Sequence, residues 1–318
     1  MRFLDVRTDF AFKKVFGSVQ SKPILIDFLN ALLDLHGVLI TDLEIVDPYQ
    51  IPLLEGMKDS YVDVKARLSN GTQVIIEMQV LNFPGMEKRV LYNAAKTYSA
   101  QLVRGQEYKT LEPIIAITIT SEFVMFDDLP DYLSYWHIRE ERTGREYNRD
   151  IELIFIELPK FTKTEAELDT ISEKWIYFIQ NAGSLEMIPE HLSEPYLVDA
   201  FNIANTAGMS LTELETQQKR EDFIYMVRGA IQKKLEEGLE EGRKKGLEDG
   251  LQEGLQEGIK EGIKEGIKEG EAIGKEKGMA IALSQTACNM LRKGLPVEMI
   301  VEVTGLSIED IEQLMPEE

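Results

Sequence analysis

An α/β fold is the class this sequence predicts: a mixed sheet flanked by helices, followed by a long Gly-repeat helix and a small helical C-terminal module. Three observations predict it. Residues 113–120 and 151–158 are continuous apolar runs of the buried-strand type. Two helix-like segments and a group of short strand signals precede them. Glycine then recurs at every fourth position from Gly238 to Gly278, eleven in all, among residues that otherwise favour helix.

Taken in order, Thr8 reads as the N-cap of a helix over 9–16, with Gly17 as its stop. A second helix is expected over 23–35, with Pro23 in its first turn and Gly37 beyond its end. Strand signals follow at 43–46, 61–68 and 73–80, the last two joined by Ser69-Asn70-Gly71. Apolar residues at 91, 94, 95, 98 and 102 fit a helix over 85–104. After the two apolar runs, residues 165–205 look helical and close a first domain of 1–207.

The composition changes beyond 208, which sets off a repeat segment of 208–278. Each glycine costs a helix about 1 kcal/mol against alanine, so eleven forfeit roughly 10 kcal/mol, and the rod needs outside help. A period of four gains about 40° per repeat on a 3.6-residue helix, so the Leu/Ile stripe winds around the rod. Two readings stay open, a self-association element and a solvated spacer; the Lys/Glu content excludes a transmembrane one. The last segment, 279–318, predicts three short helices broken at Gly294-Leu295-Pro296 and at Thr304-Gly305, with Ser307 capping the third opposite Asp310. Residues 300–314 resemble a helix-turn-helix. No Lys or Arg follows Lys293, so a small capping module is expected in preference to a DNA reader.

The chemistry concentrates on the hairpin. Glu77 and Gln79 share a strand face, as do Tyr61, Asp63 and Lys65. A two-residue Asn70-Gly71 turn would send Glu77 to the face opposite Asp63. A three-residue Ser69-Asn70-Gly71 loop with Gly71 at positive φ pairs Leu68 with Thr72 and sets Asp63 across from Glu77. Facing carboxylates repel unless a cation compensates them, and an all-oxygen site suits Mg²⁺. The other reading is a solvated hairpin face.

An ordered set of short pieces carries a resemblance: Thr8-Asp9-Phe10-Ala11-Phe12-Lys13-Lys14-Val15-Phe16-Gly17, Phe28-Leu29-Asn30-Ala31-Leu32-Leu33, Asp63-Val64-Lys65, Ile76-Glu77-Met78-Gln79, Arg89 with Tyr92, and Gln101-Leu102 with Gly105 and Tyr108. With the Gly-rich tail and the Thr304-Gly305-Leu306-Ser307 ending, it resembles the recombination-promoting nuclease (Rpn) type of transposase-like protein in the PD-(D/E)XK nuclease superfamily. The resemblance implies a nuclease-like first domain and a metal-dependent DNA endonuclease whose breaks promote recombination. It implies Mg²⁺ held by Asp63 and Glu77, with Gln79 standing where the superfamily has lysine. An amide supplies no positive charge, so Lys65 or Lys13 would substitute, and Asp9 is a further candidate carboxylate or a first-turn residue stabilised by the helix dipole. Arg89, Asn93 and Lys96, at i, i+4 and i+7, would contact DNA phosphates or form a solvated helix face. A catalytically weak or inactive descendant, serving as a DNA- or protein-binding assembly module, is the alternative.

Bulk numbers bound these readings. A 318-residue chain that is 43% hydrophobic has the length and composition to bury a core. A single cysteine, Cys288, excludes an intrachain disulfide framework and fits a reducing compartment. Met1-Arg2-Phe3-Leu4-Asp5 is no signal peptide, so a cytoplasmic location is expected. The net charge of −21 opposes general affinity for a polyanion. Residues 1–100 nevertheless hold 11 Lys+Arg against 12 Asp+Glu, so the acidity lies mostly outside the candidate site. His36, His137 and His191 lack metal-ligand spacing.

Overall fold

A computed structural model describes residues 2–35, 37–50 and 60–314; His36 lies outside the described residues. The chain divides into two compact units, Met1–Ile231 and Gln232–Glu318.

In the first unit, helix α1 (Asp9–Phe16) is capped as expected: the Thr8 side chain accepts the Ala11 N–H, and Gly17 ends the helix. Helix α2 (Lys22–Leu32) stops three residues early because Leu33 is already extended. Asn30 pins the chain that leaves it, accepting the Ile40 N–H at 2.8 Å and donating to the Ile40 carbonyl at 2.9 Å.

Six strands form the sheet: β1 (Leu43–Val46), β4 (Val64–Leu68), β5 (Gln73–Gln79), β6 (Ile114–Thr120), β8 (Ile151–Glu157) and β7 (Leu133–Trp136), adjacent in that order. Pairs β5–β6 and β6–β8 are parallel and the rest antiparallel, so the sheet is mixed. A separate two-stranded ribbon joins β2 (Tyr49–Gln50) to β3 (Ser60–Tyr61). Neither that ribbon nor β7 was readable, since each is too short or too polar to show a period.

One sheet face packs under α1, α2, α4 (Ile171–Asn181) and α5 (Pro195–Ala204), where Phe12, Phe16, Phe28, Trp175, Phe178 and Phe201 are fully buried. Each such side chain contributes roughly 1.5–3 kcal/mol of burial. The opposite face is covered by α3 (Met86–Ser99), whose Ala94 packs with Ile75, Ile114 and Ala116. The expected apolar stripe of α3 is corrected here. Leu91 is 53% exposed, while Met86, Val90, Asn93, Ala94, Lys96 and Thr97 are buried. Asn93 and Lys96 can turn inward because each finds hydrogen-bond partners there, which a polarity pattern does not reveal.

The hairpin loop follows the three-residue register. Leu68 donates its N–H to the Thr72 carbonyl at 2.8 Å, and Gly71 has φ +92°. A Cβ at Gly71 would fall 2.7 Å from the Glu112 side chain, a second reason for glycine. The strand expected over 61–68 is broken, however. Asp63 sits in a bend ahead of β4, and its N–H donates to the Ile76 carbonyl at 3.0 Å. Val62 packs toward α3 while Val64 packs toward the opposite face, so side-chain alternation is interrupted at Asp63.

Helix α6 runs from Leu211 to Arg292. Its opening, which the composition change groups with the tail, packs on the first unit: the Thr8 hydroxyl donates to Gln217 Oε1 at 2.9 Å, and Lys14 pairs with Glu213. In the second unit, α6 continues through the glycine repeat to α7 (Val297–Thr304) and α8 (Ile308–Glu312). Ala287, Ile300 and Ile311 form a small closed core there, and Ser307 and Asp310 make the expected capping box. Leu251 is 74% exposed and Ile259 55%, and among the described residues a Cβ on any repeat glycine meets nothing within 4 Å. No described helix is long and apolar enough to cross a membrane.

Candidate active site

Strand β5 delivers Glu77 beneath α3. Burial leaves only 6% of its side chain exposed, so the carboxylate depends on its neighbours. Asn93 on α3 donates to Oε1, Gln79 donates to Oε2 at 2.7 Å, and the Arg89 guanidinium lies 3.5 Å from Oε2. Burial still dominates and raises the Glu77 pKa above the usual carboxylate range against the pull of Arg89, with the Asp63 charge adding to the rise.

The bend ahead of β4 delivers Asp63. Oδ2 accepts the Met78 N–H at 2.8 Å, and Oδ1 lies 3.2 Å from Lys13 on α1. Its pKa is also raised, first by burial and further by Asp9, despite the Met78 amide and Lys13. Asp9 at the head of α1 lies 3.4 Å from Arg220 on α6. A cavity of about 330 Å³ joins these groups: Asp9, Asp63, Glu77, Gln79, Arg89 and Arg220 all line it.

Arg220, with Phe223 and Ile224 on the cavity rim, was missed by the sequence reading. Nothing local in Gln218-Lys219-Arg220 marks it; only the docking of α6 on α1 places it there. Lys65 and Lys96 are the converse. Lys65 is half-buried and does not line the cavity, and burial lowers its pKa. Lys96 is 4% exposed and donates to the Gln50 carbonyl at 2.9 Å and to Ser60 at 3.3 Å, so it forms no outer groove. Lys13 reaches Asp63, not the Asp9 one turn away that local spacing suggests.

Among the described residues no cluster of three or more His, Cys, Asp or Glu side chains is assembled as a metal cage. The donors present fit a hard cation that needs few protein ligands: two carboxylates with raised proton affinity at an open cavity, their cationic partners 3.2 Å or more away.

The raised pKa values have a testable consequence. A carboxyl group whose native pKa is raised stabilises the fold while protonated, below its ordinary value, and loses that contribution as pH rises through the native value. Without divalent metal, Asp63→Asn is therefore expected to have a higher Tm than wild type at pH 7. The difference should close as pH falls toward the ordinary aspartate value of about 3.9. In a domain of this size each kcal/mol moves Tm by about 2–4 °C. Thermal scans across pH check the sign.

A mixed sheet presenting an Asp from the start of one strand and a Glu from the next, under flanking helices, defines a PD-(D/E)XK nuclease fold. The chain belongs to the PD-(D/E)XK nuclease family transposases, whose family model matches residues 6–233. Residues 285–316 match the C-terminal HTH domain of the Rpn/YhgA-like nuclease family, in line with the helix-turn-helix resemblance of residues 300–314. No curated protein matches the chain. No solved structure matches it either. Family membership makes the function nuclease- or transposase-like, and nucleases of this class typically use divalent metals.

Proposed function

We propose that the chain is a Mg²⁺-dependent DNA endonuclease whose strand breaks promote recombination. The observation that carries this reading is the meeting of a buried Glu77 and a partly buried Asp63, both with raised pKa, with two arginines at one solvent-reaching cavity. Asp63 and Glu77 would hold the ion, which supplies Lewis acidity toward a phosphodiester and toward water when bound. Gln79, fixed to Glu77, orients a water or a phosphate oxygen. Arg89 and Arg220 offer the positive charge that the amide at position 79 lacks, and Lys13 and Asp9 hold their partners in place. A metal-dependent plasmid-nicking assay on the full chain tests the reading; no nicking with Mg²⁺ or Mn²⁺ counts against it.

One observation favours the second reading, a weak or inactive assembly module: Glu77 already satisfies its charge within the protein through Asn93, Gln79 and Arg89. Nicking that depends on Asp63 separates the two.

The tail is proposed as a self-association element. Its Leu/Ile stripe is exposed and its glycines are open, features that a helix of this length leaves unsatisfied alone in water. Deleting residues 238–278 is expected to lower the sedimentation coefficient from that of an oligomer to that of a monomer. The Tm of the first unit should stay unchanged. Two monomers at equal concentration would leave the tail as a spacer.

A further inference from the structure

Beside the carboxylates lies a second cavity, about 680 Å³, that the cleavage chemistry does not use. The two share Tyr61, Phe83 and Arg89 as walls. Arg89 is the partition: its guanidinium is 3.5 Å from Glu77 on one side and its Cζ is 5.8 Å from the Phe83 ring centroid on the other.

Three properties set this cavity apart from a gap in packing. Its walls are aromatic and left in the open: Tyr61 is 60% exposed and Phe83 42%. Tyr61 also contacts Tyr49, with ring centroids 4.7 Å apart. Lys88 and Arg89 bring positive charge to the same walls, in a chain that is strongly acidic elsewhere. Finally, Asn93 lines the cavity and is 1% exposed; its amide nitrogen is committed to Glu77 while its Oδ1 has no hydrogen-bond partner among the described residues. A buried acceptor left unsatisfied is costly in a fold and calls for a donor from elsewhere.

An aromatic face, flanking cations and one buried acceptor are together the recognition set for a nucleobase: a π-face to stack, a phosphate to neutralise and an N–H edge to accept. A paired base inside a duplex offers no free face. We propose that this cavity binds one unpaired nucleobase of the strand being cut, stacked on Phe83 and Tyr61 with an edge N–H donated to Asn93 Oδ1, next to the phosphate held at the carboxylates. The substrate class is thus DNA with an unpaired or extruded base. The inference rests on the nuclease reading for the identity of the ligand.

Binding without cleavage tests it separately from that reading. The full chain, in EDTA at low salt, is titrated into three fluorescein-labelled DNAs of one sequence: a single strand, a blunt duplex, and a duplex with one unpaired bulge. Fluorescence anisotropy should give tighter binding to the single strand than to the blunt duplex, by about tenfold or more, as expected for one stacked base. Phe83→Ala should bring that ratio close to one, and Phe83→Trp should preserve it. Tight binding of the bulged duplex identifies base extrusion as the route in; binding of the single strand alone identifies a single-stranded substrate. Both outcomes support the pocket. Equal affinity of wild type for single strand and blunt duplex overturns it, as does a ratio that survives Phe83→Ala. If no DNA is ever nicked but the ratio and its loss are seen, the pocket stands and the catalytic reading falls. If nicking occurs and the ratio is flat, the reverse holds.

Discussion

Asp63→Ala is expected to abolish DNA cleavage while the protein stays folded. Losing a ligand to a catalytic metal removes several kcal/mol of transition-state stabilisation, and each 1.36 kcal/mol is tenfold in rate, so a fall of roughly a thousandfold is the scale. The fold should survive because Asp63 occupies a bend outside the regular ladder and contributes no apolar volume to the core. The Met78 N–H loses its partner, a cost of about 1–3 kcal/mol. Removing a desolvated carboxylate offsets part of that cost. The comparison is plasmid nicking by wild type and variant, with circular dichroism melts on the same samples. A well-folded variant that nicks at the wild-type rate removes Asp63 from the site.

Arg220→Ala is the second large expected effect, a loss of about a hundredfold or more in nicking rate. Removing one preorganised group aimed at developing charge costs about 10²–10³ in comparable sites. Its ion pair with Asp9 is half exposed, so it contributes at most about 1 kcal/mol to stability and the Tm should barely move. Two companions separate a charge role from a merely structural one. Arg220→Lys keeps the charge and should retain much of the rate. Gln79→Lys in the Arg220→Ala background puts a cation back beside Glu77 and should recover part of the loss. If Arg220→Lys is as poor as Arg220→Ala, or the double variant recovers nothing, Arg220 is a brace for α6 and no more.

Much of the fold could be read because local and global signals agree there. The Thr8 cap, the buried runs of β6 and β8 and the loop with Gly71 each have one cheap solution. The hairpin register was legible for the same reason: loop length sets which residues pair, and Val64 stands opposite Ile76 as the three-residue loop requires. Three kinds of feature were not. The bend at Asp63 leaves no trace in a polarity pattern, since Val62 and Val64 are both apolar and both buried, on opposite faces. Lys96 and Asn93 read as outward polar residues because a sequence shows polarity and not partners. Arg220 was illegible for a third reason. Its neighbours at the site lie some 130 to 210 positions earlier in the chain, and only tertiary docking brings them together.

That docking changes what counts as a separable part. The composition break near residue 208 invites an expression boundary there, yet a fragment ending at that point would keep both carboxylates and lose Arg220, Phe223 and Ile224 from the rim of their cavity. Absence of nicking by such a fragment would therefore not speak for the full chain. A tail exchange that leaves this cavity intact is joined downstream of Ile231, because the opening turns of that helix belong to the first unit and not to the rod.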